Sequence, residues 1–149
     1  MKYGSLILEK NDFLMTRKFM KQNCIWEDYI HTGVLEILDL NLNNAVVLDE
    51  GQMPSDIVRL YSEVTLIGPS DHRDSFRLVP PGEEDPMTNQ ISVTSSLGAS
   101  LIGFSKGDRI TYGLPGSKIS FTIEKVKQGR QKVKLSISDG DMQKMVPEQ

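Results

Sequence analysis

Met53-Pro-Ser-Asp-Ile-Val58, Ile91-Ser-Val93 and Leu97-Gly-Ala-Ser-Leu-Ile-Gly-Phe-Ser-Lys-Gly-Asp108 decide how this chain is read. Pro54 has a fixed φ and no N–H, which suits the start of an ordered segment. Ser55 and Asp56 offer side-chain acceptors to backbone donors there. The first stretch is thus a hinge-like lead into a domain. The other two read as an apolar strand, a Ser/Thr-rich turn and a short apolar helix over Ser96 to Phe104. Gly103 and Gly107 end that helix, because left-handed backbone costs glycine little. This is packing chemistry, and no catalytic group stands out in it.

Working outward, Val64-Thr-Leu-Ile67, Phe76-Arg-Leu-Val79 and Arg109 to Leu114 are further short strands, separated by Gly, Pro, Asp and Asn clusters. Ile119, Phe121 and Ile123 alternate with Ser120, Thr122 and Glu124, so one face is buried. The phase then slips by one residue to Val126, which predicts a bulge or strand end. After Gln128-Gly129 the alternation resumes with Val133, Leu135 and Ile137, read as a last strand, and residues 139–149 read as a tail.

Upstream, Asn11 or Asp12 is the expected N-cap of a helix running to about Gln22, with Phe13, Met15, Phe19 and Met20 on its apolar stripe. Asp28 caps a second helix, which carries Ile30, Val34, Leu38 and Leu42 at four-residue spacing with Ile37 beside them. Asn41, Asn43 and Asn44 weaken its end before Val47. Asp49-Glu-Gly-Gln52 reads as a linker. The expected fold class is α+β: residues 1–52 form a short antiparallel helical hairpin, and residues 53–149 a small antiparallel sheet with one packed helix and an extra C-terminal strand.

Composition narrows the function classes. The 149 residues, 38% hydrophobic and 25% charged, fit a globular chain rather than a disordered one. A single Cys24 excludes an intrachain disulfide and a multi-cysteine zinc site, and no apolar stretch approaches a membrane span. The cytoplasm is the expected compartment. Net charge is −3, and neither half is basic enough to hold duplex DNA by phosphate neutralisation alone. That points to a protein partner and away from direct sequence-specific nucleic-acid binding.

With Leu114-Pro-Gly116 and Ile119-Ser-Phe-Thr-Ile-Glu-Lys-Val126, the opening segments resemble, in order and spacing, the carboxy-terminal domain of the bacterial transcript-cleavage factors GreA and GreB. They look closer still to the short Rnk-like members of that family, regulators of nucleoside diphosphate kinase. The resemblance covers residues 53 to 126 and is weaker over 1 to 52. It implies an FKBP-like carboxy-terminal domain that docks on the rim of the RNA polymerase secondary channel. In the family, a turn carrying a Pro, and in GreB also an Asp, makes that contact. The equivalent turn here is Thr94-Ser95-Ser96-Leu97-Gly98, with Thr94 at the Asp position and Ser96 at the Pro position. Thr94 or Ser96 would equally serve as the N-cap of the next helix.

The resemblance also implies an arm whose tip carboxylates help hold a catalytic Mg²⁺, and Trp26, Glu27 and Asp28 occupy the expected hairpin tip. A first helix of about 11 residues reaches only ~17 Å, clearly short of a long Gre coiled coil. Capping and dipole complementarity account for Asp28 without a metal. Trp26 either closes the hairpin against Met20 or Ile30 or anchors an interface.

Other candidates are bland. Glu83-Glu84-Asp85-Pro86 is a solvated acidic loop. Lys125, Lys127, Arg130, Lys132 and Lys134 are either a solvent face or a surface for nucleic acid or an acidic protein. His31 and His72 have no metal-ligand spacing, and Ser70-Asp71-His72 is too contiguous for a triad. No enzyme activity, cofactor or metal is expected, and oligomeric state is left open. The rival readings are an interaction module for a partner other than polymerase, and an FKBP-like peptidyl-prolyl isomerase. The latter is disfavoured because Tyr61, Phe76, Phe104, Tyr112 and Phe121 serve as ordinary core and residues 53–149 hold no Trp.

Overall fold

Glu9, and not Asn11 or Asp12, sets the start of the first helix. In the computed structural model, which describes residues 2–23, 29–112 and 119–135, α1 spans Lys10–Asn23. The Glu9 carboxylate accepts from the backbone N–H groups of Asn11 (2.8 Å) and Asp12 (3.0 Å). Those donors have no partner within the first turn, so the expected cap is corrected to Glu9. Phe13, Leu14 and Met15 are buried, with Phe19 and Met20 packed on the core.

The second helix, α2 (Tyr29–Asn43), buries Leu35, Leu38 and Leu42. Ile37, expected on the same stripe, is 61% exposed, because a residue one step from Leu38 is turned about 100° around the axis. The helix ends in the Asn run as expected, where the Asn44 amide donates to the Leu40 carbonyl at 3.0 Å. Arg17 of α1 bonds to Asn43 of α2.

Two strands flank these helices that the sequence does not announce. β1 (Ile7–Glu9) and β2 (Val46–Leu48) pair in parallel, Ile7 opposite Val46 and Glu9 opposite Leu48. Three-residue strands carry too little alternation to be recognised. The expected linker Asp49–Gln52 includes a 3-10 turn, Glu50–Gln52.

The main sheet comprises β3 (Glu63–Ile67), β4 (Arg73–Val79), β5 (Gln90–Ser92), β6 (Arg109–Tyr112) and β7 (Ile119–Lys127), in the order β5-β4-β3-β7-β6. It is mixed rather than antiparallel: β5 runs parallel to β4, because the chain returns to the same end of the sheet through the acidic loop and a 3-10 turn at Pro86–Thr88. The expected bulge is present. Thr65 faces Lys125 and Leu66 faces Ile123, leaving Glu124 as the extra residue on β7.

The last expected strand is described only as far as residue 135. Residues 131–135 form no ladder, although Val133 is buried. β7 is already paired on both sides, by β3 and β6, so the following segment can pack but cannot pair beside it. Ile137 and the tail lie outside the described residues. α3 (Ser96–Leu101) is shorter than the Ser96–Phe104 helix expected and covers one face of the sheet. Its Gly98 lies against Leu78, and a Cβ there would sit 3.0 Å from Leu78 Cδ1. One core joins Leu6, Phe13 and Leu38 to Val64, Leu78 and Ile123. No helix among the described residues is long and apolar enough to cross a membrane.

Candidate functional site

The turn between β5 and α3 is held by hydroxyls. Ser92 Oγ and Thr94 Oγ1 are 2.9 Å apart, and the Thr94 N–H donates to Ser92 Oγ at 3.1 Å. Ser95 Oγ donates to the Ser92 carbonyl at 2.6 Å and accepts from the Gly98 N–H at 3.1 Å. Ser95 is therefore the N-cap, in place of Thr94 or Ser96, because its side chain reaches the amide three residues on. Thr94 is buried, and Ser95, Ser96 and Leu97 are half-buried, so the outward surface of the turn is 95–97.

Gly98 is obligatory for this geometry. A Cβ at this position would lie 2.0 Å from the Ser92 carbonyl oxygen, so the backbone of α3 rests directly on the end of β5. Beside α3 an apolar groove of about 150 Å³ runs between α2 and β6, lined by Val34, Ile37, Leu38, Ala99, Phe104 and Ile110 among others.

A second constellation escaped the sequence reading. Arg59, 5% exposed, donates through Nε to Asp12 Oδ2 at 2.7 Å, bonds to Glu50, and lies 3.7 Å from Glu9 Oε2. Burial pushes the Asp12 carboxyl up, to about 6, against the pull of the Arg59 guanidinium. Asp12 Oδ1 is buried without a partner. The available signal was a lone cation inside the apolar run Ile57-Val58-Arg59-Leu60. Such a residue is rarely buried unless paired.

The acidic loop carboxylates serve separate local purposes. Glu83 accepts from the Tyr61 hydroxyl at 2.9 Å, Glu84 from the Gly82 N–H at 2.9 Å and Asp85 from the Met87 N–H at 3.0 Å. Burial and Glu83 push the Tyr61 hydroxyl up to about 12. Lys125, Lys127, Arg130, Lys132 and Lys134 are all exposed. Phe76, Phe104 and Phe121 pack against the core. His72 lies 3.2 Å from Asp74, at the surface. Trp26, Glu27 and Asp28 lie outside the described residues, so the structure brings together the 94–98 turn alone among the expected sites.

Comparison with known proteins places this geometry. The family described as "Transcription elongation factor, GreA/GreB, C-term" matches residues 53–128, half of the chain. Transcription elongation factor GreA of Clostridium botulinum (strain Eklund 17B / Type B) is 36% identical over 98 residues, covering 65% of this chain and 61% of that protein. GreA of Geobacillus kaustophilus (strain HTA426) is 32% identical over 94 residues, covering 62% and 60% respectively. The chain thus spans about three-fifths of the length of these curated relatives. A solved structure, "Prokaryotic transcription elongation factor GreA/GreB from Nitrosomonas europaea", superposes with a TM-score of 0.67 at 22% identity, over 83% of this chain and 98% of that one. The fold is shared with it.

Proposed function

The chain belongs to the GreA/GreB family, and from that membership we propose that it is an RNA polymerase-binding regulator of transcription, similar to the short Rnk-like members. It docks near the rim of the secondary channel and does not stimulate transcript cleavage. One observation carries the docking claim. The 94–98 turn falls inside the family match, on a corner of the sheet held rigid by the Ser92, Thr94, Ser95 and Gly98 hydrogen bonds, next to the apolar groove along α3.

Reach supports the second half. At 1.5 Å per residue the 14 residues of α1 extend ~21 Å, longer than the sequence expectation but still short of the long Gre coiled coil. In this reading α1 and α2 form a stubby hairpin on an FKBP-like domain. An arm of that length obstructs a channel entrance; Glu27 and Asp28, which connect its helices in sequence, cannot be carried to the far end of a long channel. No cofactor and no chemistry of the protein's own is required.

Co-purification with core polymerase tests the docking: association that GreA competes away is expected, and no association at micromolar concentration overturns it. Transcript cleavage in backtracked complexes tests the reach: unstimulated rates are expected, and robust stimulation overturns it.

A second reading, a protein partner other than polymerase, is favoured by one observation. Thr94 stands where the family resemblance implies Asp, and its hydroxyl is turned inward onto Ser92. Installing Thr94→Asp with Ser96→Pro discriminates. Pro is compatible with the first helical position after a Ser95 cap, so α3 should tolerate it. A gain in polymerase affinity supports the first reading, and no gain supports the second.

A further inference from the structure

The main sheet has two faces, and α3 covers one. Val64, Leu66, Leu78, Ile110 and Ile123 are buried on that side. Side chains alternate along a strand, so Arg77 and Ser75 of β4, Glu63 and Thr65 of β3, and Lys127 and Lys125 of β7 stand on the other. The ladders align them in two rows: Arg77 opposite Glu63 opposite Lys127, then Ser75 opposite Thr65 opposite Lys125. The bulge at Glu124 is what turns Lys125 and Lys127 to this side while Val126 packs inward. Arg77, Lys125 and Lys127 are exposed, and none has an ion-pair partner among the described residues. Beside Arg77 opens a polar cleft of about 340 Å³, lined by Glu63, Ser75, Arg77, Thr88, Asn89 and Gln90 among others.

We propose that this open face docks an acidic segment of a protein partner. Arg77 takes one carboxylate at the cleft, where a planar guanidinium can bind both oxygens, and Lys125 with Lys127 takes a second. Arg77 and Lys127 are two strand spacings apart, ~10 Å, which matches acids about three residues apart on an extended segment. The Ser75 and Thr65 hydroxyls, 2.8 Å from each other, lie between as neutral hydrogen-bonding groups.

Nucleic acid is the poorer occupant. The two rows hold no aromatic side chain on which a base could stack, and Phe76, the one aromatic in the cleft lining, is partly buried against the core. Glu63 stands between two of the cations, and a chain of net charge −3 repels a long polyanion. A short acidic segment avoids the net-charge penalty, since only charges within about 10 Å are felt at ordinary salt, and acids about three residues apart leave neutral residues over Glu63. The face is turned away from α3 and stands apart from the polymerase reading.

Fluorescence anisotropy of a labelled peptide of Glu-Gly-Gly repeats, titrated with the full chain at low salt, tests the proposal without polymerase. Saturable binding is expected. The triple reversal Arg77→Glu, Lys125→Glu, Lys127→Glu weakens it about tenfold or more. Reversing Lys10, Lys21 and Lys106 to Glu, an equal change in net charge elsewhere, weakens it less than about twofold. Equal losses in the two triple variants, or tighter binding of a single-stranded oligonucleotide of the same charge, overturn the proposal. Should the first variant fail to fold, amide shifts of the unaltered protein decide: changes along β3, β4 and β7 on peptide addition support it, and changes confined elsewhere overturn it.

Discussion

Arg59 Nε and Asp12 Oδ2 are 2.7 Å apart across 47 residues of sequence. That bond fastens α1 to the segment leading into the main sheet, and Glu9 and Glu50 crowd the same guanidinium. α1 is therefore oriented by a buried electrostatic clamp as well as by apolar contact. Burial raises the Asp12 carboxyl against the pull of Arg59, and the neighbouring Glu9 and Glu50 carboxylates add to the rise.

Arg59→Met leaves Glu9 and Asp12 buried without their cation. Breaking a buried pair from one side costs about 3–5 kcal/mol, so the urea midpoint should fall well below that of the unaltered protein. A loss under about 1 kcal/mol would show that the clamp is no stronger than a surface pair.

Stability should also carry the signature of Asp12. Its folded-state pKa, about 6, lies above the ordinary 3.8, so the folded form binds the extra proton. The stabilisation it brings is present in full below about 3.8 and is lost as pH rises through about 6. Asp12→Asn removes this titration. The difference in unfolding free energy, unaltered protein minus variant, should fall between pH 4 and 6.5 by on the order of 2 kcal/mol. A flat difference would contradict the raised carboxyl.

Two glycines should respond in opposite directions. Gly98→Ala drives a Cβ to 2.0 Å from the Ser92 carbonyl, displacing α3 at a cost of at least about 1–3 kcal/mol. Gly33→Ala, inside α2 with nothing within 4 Å of the added Cβ, should stabilise by about 0.5–1 kcal/mol. Thermal unfolding of the two variants gives both signs directly.

Ser95→Ala removes the N-cap of α3 and the bond to the Ser92 carbonyl together. A loss of about 1 kcal/mol is expected from denaturant unfolding. Ser96→Ala, one position on, should change it by less than about 0.5 kcal/mol. If Ser96 proved the more costly, the cap assignment would be reversed.

Much of this molecule was legible in its sequence. The alternation of Ile119, Phe121 and Ile123 and its slip to Val126 announced β7 and its bulge, because period and phase are local properties of a strand. The apolar spacing of Leu38 and Leu42 announced α2, and the 53–126 motifs announced the family of the sheet unit. What failed locally was small in scale: three-residue strands, the choice among adjacent hydroxyls for a cap, and Ile37 beside a stripe it does not join.

Tertiary structure alone decided the parallel pairing of β1 with β2 and of β5 with β4, the partnership of Arg59 with Asp12, and the alignment of Arg77 with Lys127 across Glu63. Periodicity encodes which face of an element is apolar, and that is enough to name the element. Which elements become neighbours is set by burial of the whole core at once, so contacts between residues far apart in the chain leave no mark in either one's local sequence.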